Sequence, residues 1–290
     1  MAHQPDDSTL RPTGWAAILP HLLLIPVTIL TLYPVLYVVK LALSGTAGAT
    51  SSPWPWPDRL DFSAFSAVVG NSDAHGTWLF GRQLLNSLVV ALATTLAGIV
   101  LSCTAAYAFA RFEFPGRRAG LLGFLATQMF PGILTLIPLY VLIQKLGLLD
   151  SLWGLILVYS TTTIPFCTWT LKGYFDTLPK EIEESAIIDG ATRLQIFWRI
   201  ILPLSAPAIA VTALFSFMAA WNEFVLAYTF LSKEVAYTMP VQIRNYVGEK
   251  DVQWALFAAS SLIVSVPVMA LFYAMEKHLV GGLTAGGVKG

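Results

Sequence analysis

Six runs of this 290-residue chain, at roughly residues 15–43, 84–110, 119–143, 151–171, 204–231 and 255–275, are each long and apolar enough to cross a bilayer. A helix rises about 1.5 Å per residue, so about twenty apolar residues traverse about 30 Å of hydrocarbon. In that solvent every backbone N–H and C=O has to be bonded inside the protein, and a helix does this within a single segment. The sequence therefore predicts an all-α polytopic membrane protein with six transmembrane helices. Its charge content agrees, since 12% of residues are charged and 56% hydrophobic, where a soluble domain carries about 25% charged residues. Prolines inside the runs, Pro26, Pro34, Pro131, Pro138, Pro165, Pro207 and Pro267, predict kinked helices whose freed carbonyls are met by neighbours in a packed bundle.

The first run reads as a retained anchor. A signal-peptide core is about 7–15 residues long and follows a basic stretch, whereas this run is longer and follows Asp6 and Asp7 with only Arg11. Six spans put both termini on one side. Ten Lys and Arg then share the side of the termini against seven opposite, and the short connection 111–118 carries three arginines where 144–150 carries Lys145 alone. Short loops decide orientation, so both termini are expected in the cytoplasm. The chain divides into an N-terminal tail (1–14), the first helix (15–43), an outer loop (44–83), a core of five helices (84–276) with a cytoplasmic loop at 172–203, and a Gly-rich tail (277–290) expected to be flexible alone. Balanced charge, 17 basic and 17 acidic residues, provides no basic field for nucleic acid. Cys103 and Cys167 lie inside apolar runs and read as buried small side chains.

The cytoplasmic loop has its own chemistry. Pro179 is placed in the first turn of a helix, where its missing N–H costs nothing, and Glu181, Glu183 and Glu184 follow near the positive end of the dipole. At 100° per residue Ile182, Ser185, Ala186 and Asp189 share a small-sided face that would let another backbone approach closely. Gly190 stops the helix. Thr192 and Gln195 then have the spacing of a capping box, opening a second helix in which Leu194, Phe197, Trp198 and Ile201 form one apolar face and Gln195 and Arg199 a polar strip. Pro203 introduces the fifth span. The physical reading is a rigid two-helix elbow.

Glu184-Ser185-Ala186, Gly190 and Ile200-Ile201-Leu202-Pro203 resemble the EAA loop of permease subunits of binding-protein-dependent ABC importers, with Ser185 where Ala is commoner. Asn86-Ser87, Trp221-Asn222-Glu223-Phe224, Met239-Pro240-Val241 and the ending from Gly281 to Gly290 resemble the carbohydrate-uptake branch, and the ending is similar to that of the smaller permease subunit of maltose/maltodextrin importers. The resemblance covers residues 15–290. It implies a type I importer permease bundle forming half of a translocation path for maltose or maltodextrin, or for another di- or oligosaccharide, in a bacterial inner membrane. It implies a larger permease subunit, an ATPase dimer and a periplasmic sugar-binding protein as partners besides lipid. By the same resemblance Glu184, Ser185, Ala186 and Gly190 dock on the ATPase. Thr284, Gly286, Gly287 and Lys289 reach toward it in the tail, and Met239, Pro240, Arg244 and Asn245 meet the binding protein.

The chain has no G-x-x-x-x-G-K-[ST], so no nucleotide site of its own is expected and ATP with magnesium belongs to the partner. No H-E-x-x-H or other catalytic constellation falls at one membrane depth, which argues against an enzyme. A secondary transporter would show repeated halves and mid-membrane charges, and neither is found. One intramembrane acid, Glu223 beside Asn222, reads either as a pathway residue or as a structural hydrogen-bonded carboxylate.

Overall fold

A computed structural model of the chain describes residues 15–46, 52–248 and 252–286, so the N-terminal tail 1–14 lies outside the described residues. They fall into two compact units, one within Met1–Val68 and Val247–Leu262 and the other within Val69–Tyr246 and Ile263–Gly290. Among the described residues β structure is limited to isolated bridges; the rest is helix and connection.

In the first unit, α1 (Trp15–Ala42) runs unbroken through Pro20, Pro26 and Pro34. Leu22, Leu23, Leu24, Ile29 and Leu30 on it are half to three-quarters exposed, a surface that only lipid or another apolar helix would cover. Near its end Lys40 is 1% exposed and donates from Nζ to the Ser52 carbonyl at 2.6 Å, while Tyr33 donates its hydroxyl to the Pro53 carbonyl at 2.6 Å. These bonds tie the start of the Pro53–Pro57 stretch to the C-terminal part of the helix. A short α2 (Ser63–Val69) follows.

The second unit is built on α3 (Leu79–Arg111), a 33-residue helix without proline. It continues through α4 (Arg117–Met129), α5 (Gly132–Lys145) and α6 (Leu152–Thr177), the last capped by the Ser151 hydroxyl accepting from Trp153 N–H. Then come α7 (Lys180–Ile188), α8 (Arg193–Ile196), a π-helical turn (Phe197–Ile201), α9 (Leu202–Leu204), α10 (Ala206–Trp221) and α11 (Val225–Phe230). A 3₁₀ turn (Glu234–Ala236) and α12 (Met239–Asn245) precede α13 (Trp254–Gly286), which crosses into both units.

Helices α3, α6 and α10 pack on one another around Val90, Leu155, Tyr159, Phe217 and Trp221. Their closest approach uses small side chains: a Cβ on Gly98 would lie 3.4 Å from Thr163 Oγ1 and 3.5 Å from Ser216 Oγ, and Ser102 Oγ donates to the Ile164 carbonyl at 3.2 Å. Without a hydrophobic drive between helices in lipid, such close backbone approach and interhelical bonds supply the attraction. Both cysteines are buried and free.

Several expected spans differ from single straight helices. The run 119–143 is two helices bent by 101°, because Phe130 takes an extended conformation (φ −77°, ψ 126°) before Pro131, as the clash with a following proline ring favours. The run 204–231 is interrupted twice: a 76° bend separates residues 193–204 from α10, and the chain leaves helix between Trp221 and Val225. The Gly-rich end is helical in its backbone as far as Gly286, so that part of the tail departs from the expected flexibility. Among the described residues three helices are individually long and apolar enough to cross a membrane, or up to five if each bent pair is one span. In α6 the Thr161-Thr162-Thr163 segment dilutes the apolar run, though its 26 residues would reach about 39 Å.

Gly98→Leu is expected to lower the yield of monodisperse protein in detergent severalfold by forcing α3 from α6 and α10, with Gly98→Ala close to the parent because its Cβ meets only ordinary contacts. Fluorescence-detected gel filtration of both variants checks this.

Candidate functional site

The elbow between α6 and α10 is assembled from local signals. Pro179 is the N-cap of α7 (φ −57°, ψ 131°), one residue earlier than expected, and Glu181 and Glu183 occupy the first turn. At the other end Gly190 sits at φ +86°, a left-handed conformation, with open space where a Cβ would be; glycine is needed there for its backbone freedom. Gly190 N–H donates to the Ile187 carbonyl at 3.0 Å and Ala191 N–H to the Ala186 carbonyl at 2.9 Å, the two bonds of a Schellman ending. Thr192 begins the next helix two residues later: its hydroxyl accepts from Gln195 N–H at 3.3 Å and its N–H donates to Gln195 Oε1 at 2.8 Å. Stop and start together allow one direction of chain reversal.

Burial departs from the expected faces. Glu183 (2% exposed) and Ala186 (8%) point inward, whereas Glu184, Ser185, Asp189 and Gly190 are exposed, with Ile182, Ile187 and, at 86%, Ile188. Ala186, expected to dock on the ATPase, is packed with Leu171, Phe175, Ile196, Phe197 and Ile201. The second helix is also not uniform: Leu194 and Trp198 are exposed while Phe197 and Ile201 are buried. Its π-helical turn, closed by Leu202 N–H on the Phe197 carbonyl, widens the spiral, so the i, i+3, i+4 pattern no longer marks one face. An open recess of about 290 Å³ lies beside the reversal, lined by Asp189, Gly190, Ala191, Gln195, Arg199 and Ile200.

What secures the elbow to the bundle is Glu183. Its carboxylate pairs with Arg111 Nε at the end of α3, accepts from the Tyr107 hydroxyl at 2.9 Å, and has Arg193 Nη1 at 3.8 Å. Arg111 also donates from Nη2 to the Leu178 carbonyl at 3.1 Å, so one guanidinium holds the chain before α7 and the first turn of α7. Both charged side chains are under 5% exposed. The sequence marked Glu183 only for its place near a helix start, because its partner lies 72 residues away.

On the opposite side the loop 232–246 is held by the start of α3. Asn86 Nδ2 donates to the Val235 and Tyr237 carbonyls at 2.9 and 3.0 Å, Ser87 Oγ accepts from Met239 N–H at 2.7 Å, and Gln83 Nε2 donates to the Glu234 carbonyl at 3.0 Å. Asp150, at φ +55°, receives Ser232 and Lys233 N–H on its carboxylate. Of the residues expected to meet the binding protein, Met239 is fully buried, Pro240 is half-buried, and Arg244 and Asn245 are exposed. Thr284 and Gly286 lie in the helical backbone of α13, and Gly287 and Lys289 fall outside the described residues.

Glu223 is hydrogen-bonded within the bundle. Its carboxylate accepts from Leu226 N–H (2.8 Å) and Ala227 N–H (3.1 Å), satisfying the first turn of α11, and from the Tyr159 hydroxyl. Exposed Asn222 ends α10 and donates to the Met218 carbonyl at 2.9 Å.

A long, unbroken helix holding a rigid exposed elbow at one end and a loop at the other suits a membrane protein driven by external partners. Residues 98–281 match the family described as binding-protein-dependent transport system inner membrane component. The chain belongs to that family. It is the membrane permease of an ABC importer and not an enzyme, with ATP hydrolysis carried by a partner ATPase. The permease is 36% identical to the maltose/maltodextrin transport system permease protein MalG of Yersinia pestis, over 99% of this chain and 96% of that one. It is 38% identical to the galactooligosaccharides transport system permease protein GanQ of Bacillus subtilis, over 93% and 94%. The crystal structure of a bacterial ABC transporter importing the acidic polysaccharide alginate has a chain of the same fold, with a TM-score of 0.78 at 24% identity over 93% of this permease and all of that chain.

Removing one partner of a buried ion pair strands the other, at a cost of about 3–5 kcal/mol. Glu183→Ala is expected to lower the thermal midpoint of the purified permease markedly, while Glu184→Ala, one residue along but exposed, leaves it near the parent value. Glu223→Gln keeps an acceptor for α11, so transport at equal membrane level is expected to stay within about threefold of parent, as for a lost neutral hydrogen bond.

Proposed function

We propose that this permease forms half of the translocation path of a carbohydrate importer, with maltodextrins as cargo. The observation that carries the importer reading is the exposed end of α7, where Glu184, Ser185, Ile188, Asp189 and Gly190 project from a segment locked by the Schellman ending, the Thr192 cap and the Glu183–Arg111 pair. A rigid projection with one large apolar side chain suits a socket on an ATPase, which would grip Ile188 and reach the backbone at Gly190. The cargo reading is supported by relatives named for maltose/maltodextrin, galactooligosaccharides and trehalose, of which maltodextrin is the recurrent one. Another oligosaccharide in the same role is the second reading.

In this reading α6 is the sixth span beside the three long helices and two bent pairs, the termini and elbow are cytoplasmic, and the arginines of 111–118 lie on the inner side. Pro240, Arg244 and Asn245 face the periplasmic binding protein. Thr284, Gly286, Gly287 and Lys289 approach the ATPase dimer, and a larger permease completes the path. The chain itself uses no cofactor; ATP and magnesium act in the partner.

Purification of the tagged permease from its native membrane, followed by mass spectrometry, is expected to recover an ATPase and a second permease. Vesicles of that complex, supplied with its binding protein and ATP, should take up labelled maltodextrin, and competition with unlabelled galactooligosaccharide and trehalose ranks the cargoes. Ile188→Asp and Gly190→Pro are each expected to reduce uptake at least tenfold with normal membrane insertion. Uptake that persists without ATP, or a chain recovered alone, overturns the importer reading.

A further inference from the structure

We infer that α3 is the rod through which elbow and outer loop move together, with Arg111 and Asn86 as its positioning residues. The inference rests on the importer reading and deepens it. The two regions are far apart in sequence, yet each is fastened to the same helix by groups largely withdrawn from water. At one end Arg111 holds Glu183 and the Leu178 carbonyl, and Tyr107 adds its hydroxyl. At the other, Gln83, Asn86 and Ser87 hold Glu234, Val235, Tyr237 and Met239, all through the backbone of the loop.

Between Asn86 and Arg111 the helix is continuous. At about 1.5 Å per residue the 25 intervening steps span about 38 Å, the depth of a bilayer core and part of its interfaces. Other elements that could carry motion across the second unit are weakened or interrupted: α6 is continuous but loses a ladder hydrogen bond at Pro165, α4 and α5 meet at 101°, and the path from the elbow into α10 bends by 76° and then breaks at Asn222–Phe224. A helix is stiff along its axis, whereas a bend absorbs displacement. A push on the elbow is therefore delivered through the Glu183–Arg111 pair to α3 and emerges at the loop 234–239.

Both fastenings take hold of backbone. Asn86 bridges two carbonyls of the loop with one amide, and Arg111 bridges a carbonyl and a carboxylate with one guanidinium. A planar fork serves two acceptors at fixed angles, which a lysine ammonium does not reproduce. Arg111→Lys thus keeps the buried charge balanced while removing the double grip, and Asn86→Ala releases the opposite end.

The test is backbone hydrogen exchange, followed by mass spectrometry, on the complex purified from native membrane with and without ATP and magnesium. In the parent, exchange is expected to change both at residues 180–196 and at 234–245. In Arg111→Lys and in Asn86→Ala, each compared at equal recovery of partner subunits, the elbow still responds while the response at 234–245 falls about fivefold or more, the lower end of ordinary coupling between sites. Because both residues act on one rod, the double variant is expected to lose no more than the worse single one. Asn86→Ala carries the test if Arg111→Lys fails to assemble, since it lies far from the ATPase side. An outer-loop response close to the parent's in the variants, or losses that multiply in the double variant, overturns the rod and leaves the importer reading standing. A parent complex in which ATP alters neither region overturns both.

Discussion

A carboxylate taken out of water needs counter-charge and hydrogen-bond donors, and that requirement at Glu183 organises the elbow half of the permease. Arg111, Tyr107 and Arg193 gather on it from the end of α3 and from the second elbow helix. Around this centre pack the apolar residues Phe175, Ala186, Ile196, Phe197 and Ile201. Because the pair loses far more on being separated than it gains in being formed, the elbow has little freedom to pivot against α3. Rigidity there is what allows the exposed end of α7 to be a lever and not a hinge.

The same logic operates on the outer side with neutral groups. Loop carbonyls and amides at 234–239 would be stranded in a packed surface without partners, and Gln83, Asn86 and Ser87 supply them. Glu223 performs a similar duty within the bundle, receiving the free N–H groups where α11 starts again after the break. Several polar side chains in this permease complete backbone hydrogen bonding where helices stop, as a low-dielectric setting demands. Close contact of α3, α6 and α10 at Gly98 supplies the remaining cohesion.

How far the sequence could be read varied with the range of the interaction. The limits of α7, the role of Gly190 and the cap at Thr192 were legible because each depends on neighbours within five residues. The inward turn of Ala186 and the burial of Met239 were not, since a helical wheel identifies faces without saying which one meets the bundle. Proline was an ambiguous signal: α1 passes through three of them, α5 through Pro138, α6 through Pro165 and α13 through Pro267, whereas the chain turns sharply at Pro131. Ring geometry is the same in each case, and the difference lies in the surroundings that either restore or abandon the helix.

By itself the sequence determined that this chain lives in a membrane, that a helix stops at Gly190 and another starts at Thr192, and that its motifs belong with importer permeases. The first two follow from hydropathy, backbone sterics and capping, all of which act along the chain, and the third from the resemblance of its motifs to that family. Tertiary structure alone decided that Glu183 is the anchor, that Asn86 and Ser87 hold the outer loop, and that Glu223 caps α11 beneath the Tyr159 hydroxyl. Each of the first two rests on partners about 70 to 150 residues apart, and only close packing of α3 against distant segments brings such groups within the 3 Å or so over which a hydrogen bond acts.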